Sequence, residues 1–328
     1  MKFAFVPPAQ PREVFGNAWI IYGDGEIDFD AGKRLQELVK QNNIPNSSML
    51  YLNSPGGSLS GGMALGRAIR SAGLFTYIGR AASEKTIGNW TYRETAPGEC
   101  YSAATLAFLG GQFRWIDEKS VYGVHRFYAD KDPGSDAAQV ASSAIVEYVR
   151  EMGVDPAYFS EMTKVGASDV NVLTPDRLHQ LGIVNGPSNR TAWTIESFGE
   201  GLYFKGERLT WRGINKFILI AAPKGTVLHV IYNPEGRGDE AIQMKAHSLF
   251  VDDQAYPLEL DFKPHLLNGL VNCMYSLNSD LIAKIKAAKE VGIAMQWAYG
   301  APIFLGFNGM QVEEGRSKLR GYLALHDR

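Results

Sequence analysis

Hydrophobic and polar positions follow two textures along the chain. From Ala18 to Ile27 the run AWIIYGDGEI carries apolar residues into a glycine-containing turn and predicts a strand. From Asp30 to Gln41 the pattern AGKRLQELVKQ spaces its apolar residues for one face of a helix. SMLYLNS at 48–54 predicts a second strand, which runs into PGGSLSGGMALGRAIRSAG, where Met63, Leu65, Ala68 and Ile69 suit a helix. Strand, helix, strand, glycine turn, helix is the order of a βαβ unit with a parallel sheet. The alternation persists through a strand at 74–80 (LFTYIGR), a helix of small apolar residues at 102–111 (SAATLAFLGG) and a strand at 120–127 (SVYGVHRF). A polar break, ADKDPGSDAAQ, precedes the helical ASSAIVEYVREMG, and TPDRLHQLGIVNG predicts a short helix with Thr174 as N-cap and Gly182 near its end.

Beyond Asn189 the texture changes. TAWTIES, GLYFKGERLTW, KFILIAA, TVLHVIY, IQMKAHSLFV and AYPLEL are strand-like runs separated by turn residues. One helix, SDLIAKIKAAKEVG, interrupts them, with Ser279 as expected N-cap and Gly292 at its expected end; the strand-like IAMQWAY and PIFLGF follow. This organisation predicts an α/β domain over residues 1–190 and a smaller β-rich domain over 191–328. A length of 328 residues agrees, since single cores usually stop growing below that size.

Composition narrows the function classes. The formal net charge is −2 and the basic residues are scattered, so neither a nucleic-acid footprint nor a polybasic membrane patch is present. No run approaches the roughly 18 apolar residues that span a bilayer. The start, MKFAFVPPAQPREVF, breaks its short apolar stretch with Pro7 and Pro8 and is no signal-peptide core, so a cytoplasmic chain is expected, or a periplasmic one if this is a processed mature form. Cys100 and Cys273 form no C-x-x-C pair and the six histidines no H-E-x-x-H, so no metal or other cofactor is expected. No nucleotide-binding G-x-x-x-x-G-K-[ST] occurs.

Three segments carry candidate chemistry, each at a strand end: YLNSPGGS at 51–58, GECYSAAT at 98–105 and YGVHRF at 122–127. Ligands of open α/β sheets bind outside the carboxyl ends of strands, so segments distant in sequence can converge there. A serine hydroxyl needs an adjacent base to attack a carbonyl, and Ser102 and His125 are the matching types. The backbone N–H of Ala103, at a helix start, and that of Gly57, where glycine permits close approach, are the expected oxyanion donors. Each assignment competes with a structural one: Ser102 as a helix N-cap, His125 as a satisfied polar residue at a strand end, and Gly56 and Gly57 as a strand-to-helix turn.

Together Asn53-Ser54-Pro55-Gly56-Gly57, Gly98 to Ser102, and His125 resemble the proteolytic subunit of the Clp protease, within the Clp-protease/crotonase fold group, over about residues 15–190. The resemblance implies a βαβ spiral core, a serine peptidase or peptidase-like acyl hydrolase, a peptide or protein substrate and a homo-oligomer, with any unfoldase partner unknown. It implies catalytic roles for Ser102 and His125, with Gly57 and Ala103 as oxyanion hole. The family's third member is an aspartate just before an apolar pair and a helix-capping Ser or Thr. Counted back from Thr174, that position falls on Val170; Asp169 fits with a one-residue shift of the loop, and Asn171 is the alternative. Lys131, six residues past His125, is the base of a Ser-Lys variant. Two other readings keep the fold: a crotonase-type acyl-CoA enzyme that holds an enolate in the same hole, and a degenerate binding or assembly module.

Overall fold

The structure is a computed structural model, which describes all residues except 8–18, 88–89, 128–133, 167, 187, 200, 223–224, 302 and 327–328. The chain falls into two compact units, Met1–Pro187 and Ser188–Arg328.

In the first unit, β1 (Lys2–Val6), β2 (Ile20–Asp24), β3 (Met49–Asn53), β4 (Phe75–Ile78) and β8 (Arg114–Trp115) form one sheet in that order, with β1 antiparallel and the rest parallel. Helix α1 (Ala31–Asn42) connects β2 to β3, and α2 (Leu59–Ser71) connects β3 to β4, the βαβ order that the pattern predicts. A second sheet holds β7 (Glu99–Tyr101) parallel to β9 (Val121–Val124), with β10 (Asn171–Val172) antiparallel to β9 on its other side. Residues 81–97, which the pattern leaves unassigned, fall largely in an antiparallel pair of strands, β5 (Arg80–Ile87) and β6 (Trp90–Ala96). The fold is thus an α/β core followed by a β-rich unit.

Helix α3 (Ala103–Leu109) lies at the centre of the first unit, and all seven of its residues are buried. Buried all round, it has no amphipathic stripe to orient it, so its ends and its neighbours must do so. Helix α2 approaches closely: a Cβ on Gly62 would stand 2.3 Å from the Ala103 carbonyl oxygen. The carbonyl end of α3 is held by Arg114, whose buried guanidinium donates to the carbonyls of Leu109 (3.1 Å), Gly111 (2.9 Å), Met152 (3.4 Å), Gly182 (2.8 Å) and Ile183 (2.7 Å). Those oxygens lie at or just beyond the ends of α3, α4 (Gly134–Glu151) and α6 (Pro175–Gln180). Orphan carbonyls at helix ends carry the negative pole of the macrodipole, so one cation satisfies three helix ends without a carboxylate. Arg70 donates to Leu109, Gly110, Gly111 and Met152 beside it. Burial, and then the neighbouring Arg70 charge, push the Arg114 pKa down to about 10, leaving it protonated at neutral pH.

The second unit packs a six-stranded antiparallel sheet and a four-stranded one around their own core. The larger runs β11 (Ala192–Phe198), β12 (Gly201–Thr210), β13 (Gly213–Ala222), β14 (Gly225–Tyr232), β18 (Leu270–Leu277), β17 (His265–Leu267). The smaller runs β16 (Gln254–Leu258), β15 (Ala246–Val251), β19 (Glu290–Gln296), β20 (Leu305–Gln311). A short helix, α7 (Gly238–Ala241), together with α8 (Ser279–Ala287) and α9 (Arg316–His326), completes the unit. Trp193 anchors its core, stacking on Phe204 at 4.9 Å while its indole N–H donates to the Gln311 carbonyl at 2.7 Å. Among the described residues no helix is long and apolar enough to cross a membrane.

Three element boundaries differ from expectation. Asn278, not Ser279, caps α8, because its side-chain oxygen takes the Leu281 N–H at 2.9 Å. Gly292 lies inside β19, at a break in register with β20 where a Cβ would strike the Phe307 carbonyl oxygen at 2.4 Å; glycine here accommodates a bulge rather than ending a helix. Helix α4 begins at Gly134, within the expected polar break. Its first turns are largely exposed, so no apolar stripe announces them.

Replacing Arg114 by Met is expected to lower unfolding free energy by at least about 3 kcal/mol, since several buried carbonyls lose their donor at once. Replacing Arg67, whose ion pair with Glu151 is half exposed, is expected to cost no more than about 1 kcal/mol. Urea denaturation of the two variants beside the wild type measures the contrast.

Candidate functional site

The three segments singled out in the sequence follow directly on β3, β7 and β9. In the first, Asn53 links three strands: its amide donates to Asp24 at 3.0 Å and its oxygen accepts the Glu99 N–H at 3.0 Å. Buried Ser54 takes the Gly56 N–H on its hydroxyl at 3.1 Å and bonds β7 through its own backbone. This turn sets Gly56 at φ +110° and Gly57 at φ +129°, both in the region that side chains disfavour. Space requires glycine as well. A Cβ on Gly56 would sit 2.7 Å from the Ser102 Cβ, and one on Gly57 would sit 2.2 Å from the Ile27 carbonyl oxygen. Ser58 then caps α2, accepting from the Gly61 N–H.

Ser102 joins β7 to α3 with φ 54° and ψ −125°. A non-glycine residue held there costs about 1–3 kcal/mol, and a tight strand-to-helix turn of this kind projects a serine hydroxyl out of the fold. Its side chain makes no capping hydrogen bond to α3. The backbone is nevertheless fixed: its N–H donates to the Gly123 carbonyl at 3.1 Å, and its carbonyl accepts from the Thr105 N–H at 3.0 Å and the Thr105 hydroxyl at 2.5 Å. Two N–H groups nearby, those of Gly57 and Ala103, take part in no hydrogen bond among the described residues.

His125, half-buried, follows β9. Its Nδ1 lies 2.7 Å from the Arg126 carbonyl oxygen. A carbonyl only accepts, so this contact places the proton on Nδ1 and the lone pair of the neutral ring on Nε2. Arg126 is tied in turn to the end of α5 (Ala157–Thr163), donating from Nε to the Thr163 carbonyl at 3.1 Å.

Ser102, Ala103, Gly57 and His125 line one cavity of about 830 Å³. Phe29, Leu59, Phe127 and Met162 give it an apolar wall, Ala137 and Ala141 leave room on α4, and Glu26 is its acidic residue. Among the described residues no hydrogen bond joins Ser102 Oγ to His125.

The residues considered for the third position stand apart from this group. Asp169 is exposed, does not line the cavity, and among the described residues bonds only through its backbone N–H, to the Gly166 carbonyl. Asn171 pairs with Val124 across β10 and β9, but its amide donates to the Glu161 carbonyl and carboxylate, each at 3.2 Å. Val170 lies over Gly123, where an added Cβ would meet its Cγ1 at 2.5 Å. Lys131 lies outside the described residues. Among the described residues no group of three or more His, Cys, Asp or Glu side chains is arranged to hold a metal. Cys100, two residues before Ser102, is free and fully buried, and burial pushes its thiol up, away from the reactive thiolate.

Neither the Arg126 carbonyl nor Glu161 is legible in the sequence. A backbone acceptor has no residue signature, and Glu161 resembles any charged residue of a short helix. Its carboxylate, buried in α5, accepts from Arg177 at 2.8 Å and Lys164 at 2.6 Å as well as from Asn171. Burial opposes its ionisation, but these donors outweigh burial and hold its pKa below the ordinary value.

No family model matches the chain, and no curated protein matches it. Solved structures to which it is similar include a mutant of the 1510-N membrane-bound stomatin-specific protease, at 17% identity and a TM-score of 0.35, covering 50% of this chain and 75% of that one. A mutant of ClpP1 from Listeria monocytogenes is similar at 15% identity and a TM-score of 0.38, covering 50% of this chain and 87% of that one.

The Glu161 cluster has a pH signature. A carboxyl whose folded pKa is depressed adds stability that is present above its unfolded pKa, about 4.3, and is lost as pH falls through the folded value. Glu161→Gln is therefore expected to destabilise the protein more at pH 7 than at pH 3. Urea midpoints at the two pH values measure this, and an offset independent of pH would contradict it.

Proposed function

We propose that this protein is a serine peptidase or peptidase-like acyl hydrolase that uses Ser102 as nucleophile and His125 as general base. The observation that carries the proposal is the backbone of Ser102: a strained strand-to-helix turn directs a hydroxyl, unused for capping, toward a cavity shared with His125 and two N–H groups unbonded among the described residues. A serine serving only as a helix cap would have extended dihedrals and would spend its oxygen on the helix.

The chemistry follows from these positions. His125 Nε2 takes the Ser102 proton as Oγ attacks the acyl carbon, and the carbonyl oxygen becomes an oxyanion accepting from the Gly57 and Ala103 N–H groups. A donor of this kind is worth about 3 to 4 kcal/mol in the transition state. The tetrahedral species expels its amine or alcohol, which takes the proton from His125, leaving Ser102 acylated. Water then repeats the sequence through His125 and releases the acid. Ser102 and His125 must approach further for the first transfer, as catalytic contacts often tighten only when substrate binds. The apolar wall suits a substrate with an apolar side chain or acyl group beside the scissile bond.

The Arg126 carbonyl fixes the imidazole tautomer but does not balance the charge of an imidazolium as a carboxylate would. We propose Asp169 as the carboxylate that supplies this balance during turnover. Asp169→Asn is then expected to lower turnover by on the order of 10⁴-fold, the loss seen when the aspartate of a serine-protease triad becomes asparagine, with Asn171→Ala costing far less. The reverse order makes Asn171 the partner. Near-normal turnover in both leaves a Ser102–His125 pair oriented by the Arg126 carbonyl.

A fluorophosphonate probe followed by mass spectrometry tests the core of the proposal. Modification is expected at Ser102, and Ser102→Ala is expected to abolish both labelling and hydrolysis while keeping the fold. Labelling at another serine, or full activity in the Ala variant, would overturn it. A protein that folds normally, binds peptides and never reacts would instead be the binding or assembly module.

A further inference from the structure

We infer that Tyr158, a residue of α5 outside the cavity, is a positioning residue for Ser102, acting through the Thr105 hydroxyl. This rests on the proposed function. Three hydroxyls lie buried beneath the strained turn, and their proton directions are fixed by counting. The Ser102 carbonyl can only accept, so the Thr105 hydroxyl, 2.5 Å away, donates its one proton there. Thr105 must then accept from Tyr158, whose hydroxyl lies 2.7 Å from its Oγ1. With its own proton committed, Tyr158 accepts from Tyr122 at 3.4 Å, a proton that Tyr122 shares with the Thr105 carbonyl at 3.2 Å.

Tyr122 and Tyr158 are fully buried, and burial pushes both phenols up, so both keep their protons at physiological pH and the directions hold. A threonine in a helix commonly bonds a carbonyl one turn back, and that alone would be local chemistry. What is not local is Tyr158, which reaches Thr105 from an element more than fifty positions along the chain. Its hydroxyl fixes the Thr105 rotor and polarises the bond to Ser102. That bond secures the carbonyl of the residue whose strained dihedrals aim the hydroxyl.

Helix α5 is itself held on the His125 side. Its Thr163 carbonyl accepts from Arg126, and its Glu161 accepts from Asn171 of β10, the strand paired with β9. The donor that orders the Ser102 carbonyl contact and the anchors of the segment bearing His125 therefore belong to one seven-residue helix. A shift of α5 would disturb both residues together.

The test compares two tyrosines. Tyr148 also buries its hydroxyl against α3, donating to the Leu106 carbonyl at 2.7 Å, but among the described residues makes no hydrogen bond to Ser102 or Thr105. With a fluorophosphonate probe, Tyr158→Phe is expected to lower the maximal rate of Ser102 modification by about tenfold with the half-saturating concentration unchanged. Tyr148→Phe is expected to leave both constants near wild type despite a similar loss of stability. Thr105→Val should behave as Tyr158→Phe does, and Thr105→Ser should restore the rate. Equal rates in the two Phe variants, or a Thr105→Ser no better than Thr105→Val, would overturn the inference.

Absence of wild-type labelling at Ser102 would count against the proposed function and not against this inference. Hydrogen exchange at the Ser102 amide, which donates to Gly123, then decides. Faster exchange in Tyr158→Phe than in Tyr148→Phe supports the positioning role, and equal exchange removes it.

Discussion

The buried guanidinium of Arg114 is the interaction on which the first unit depends. Helix α3 is too short to be stable alone and is buried on every side, so neither propensity nor amphipathicity fixes its direction. Arg114 and Arg70 gather its carbonyl end with those of α4 and α6. Two adjacent cations, with only Glu151 near Arg70 as a countercharge, would be costly in an apolar interior. They are tolerated because oriented carbonyl dipoles replace the water they lose. With that end anchored, the opposite end, where Ser102 stands, has little freedom left.

The site builds on this anchor by concentrating backbone features that a stable fold normally avoids. Ser102 has positive φ, Gly56 and Gly57 leave no space for a side chain, and two N–H groups have no internal partner among the described residues. Each is a small cost, and the surroundings hold each in place: the Ser54 hydroxyl on Gly56, the Ile27 strand bridge on Gly57, and the Thr105 hydroxyl on the Ser102 carbonyl. Strain of this kind persists only where the surroundings over-determine it. The proposed reaction uses the same features, because donors already in position need no reorganisation when charge develops.

The second unit follows different rules. Its core is set by alternation along antiparallel strands and by Trp193, while part of an outer face carries the ion pairs Glu196–Lys205, Lys205–Glu207 and Glu207–Lys216. This linked row of charges keeps the sheet face polar. Its most deeply buried histidine, His247, is engaged on both ring nitrogens, by the Tyr275 hydroxyl and the Met244 carbonyl, and burial lowers its pKa. It is a core residue.

The sequence by itself determined the alternation of β2, α1, β3, α2, β4, α3 and β9, the change of texture near residue 190, and the three strand ends that share a cavity, but not β1, β5, β6, β8, β10 or α5. Periodicity and glycine turns are local properties, and a residue such as Ser102 or His125 is visible by its type. It left the α4 start and the cap of α8 to be corrected, because exposed turns carry no stripe and adjacent Asn and Ser are equivalent caps on paper. Tertiary structure alone decided the dihedrals of Ser102, the unbonded N–H groups and the Arg126 carbonyl at His125, all of them backbone properties with no residue code. It also decided that Asn171 faces Glu161 and that Asp169 stands exposed. Such placements depend on contacts between residues distant in the chain, as where the buried Glu161 carboxylate gathers donors from Asn171, Arg177 and Lys164, and spacing along the chain does not record them.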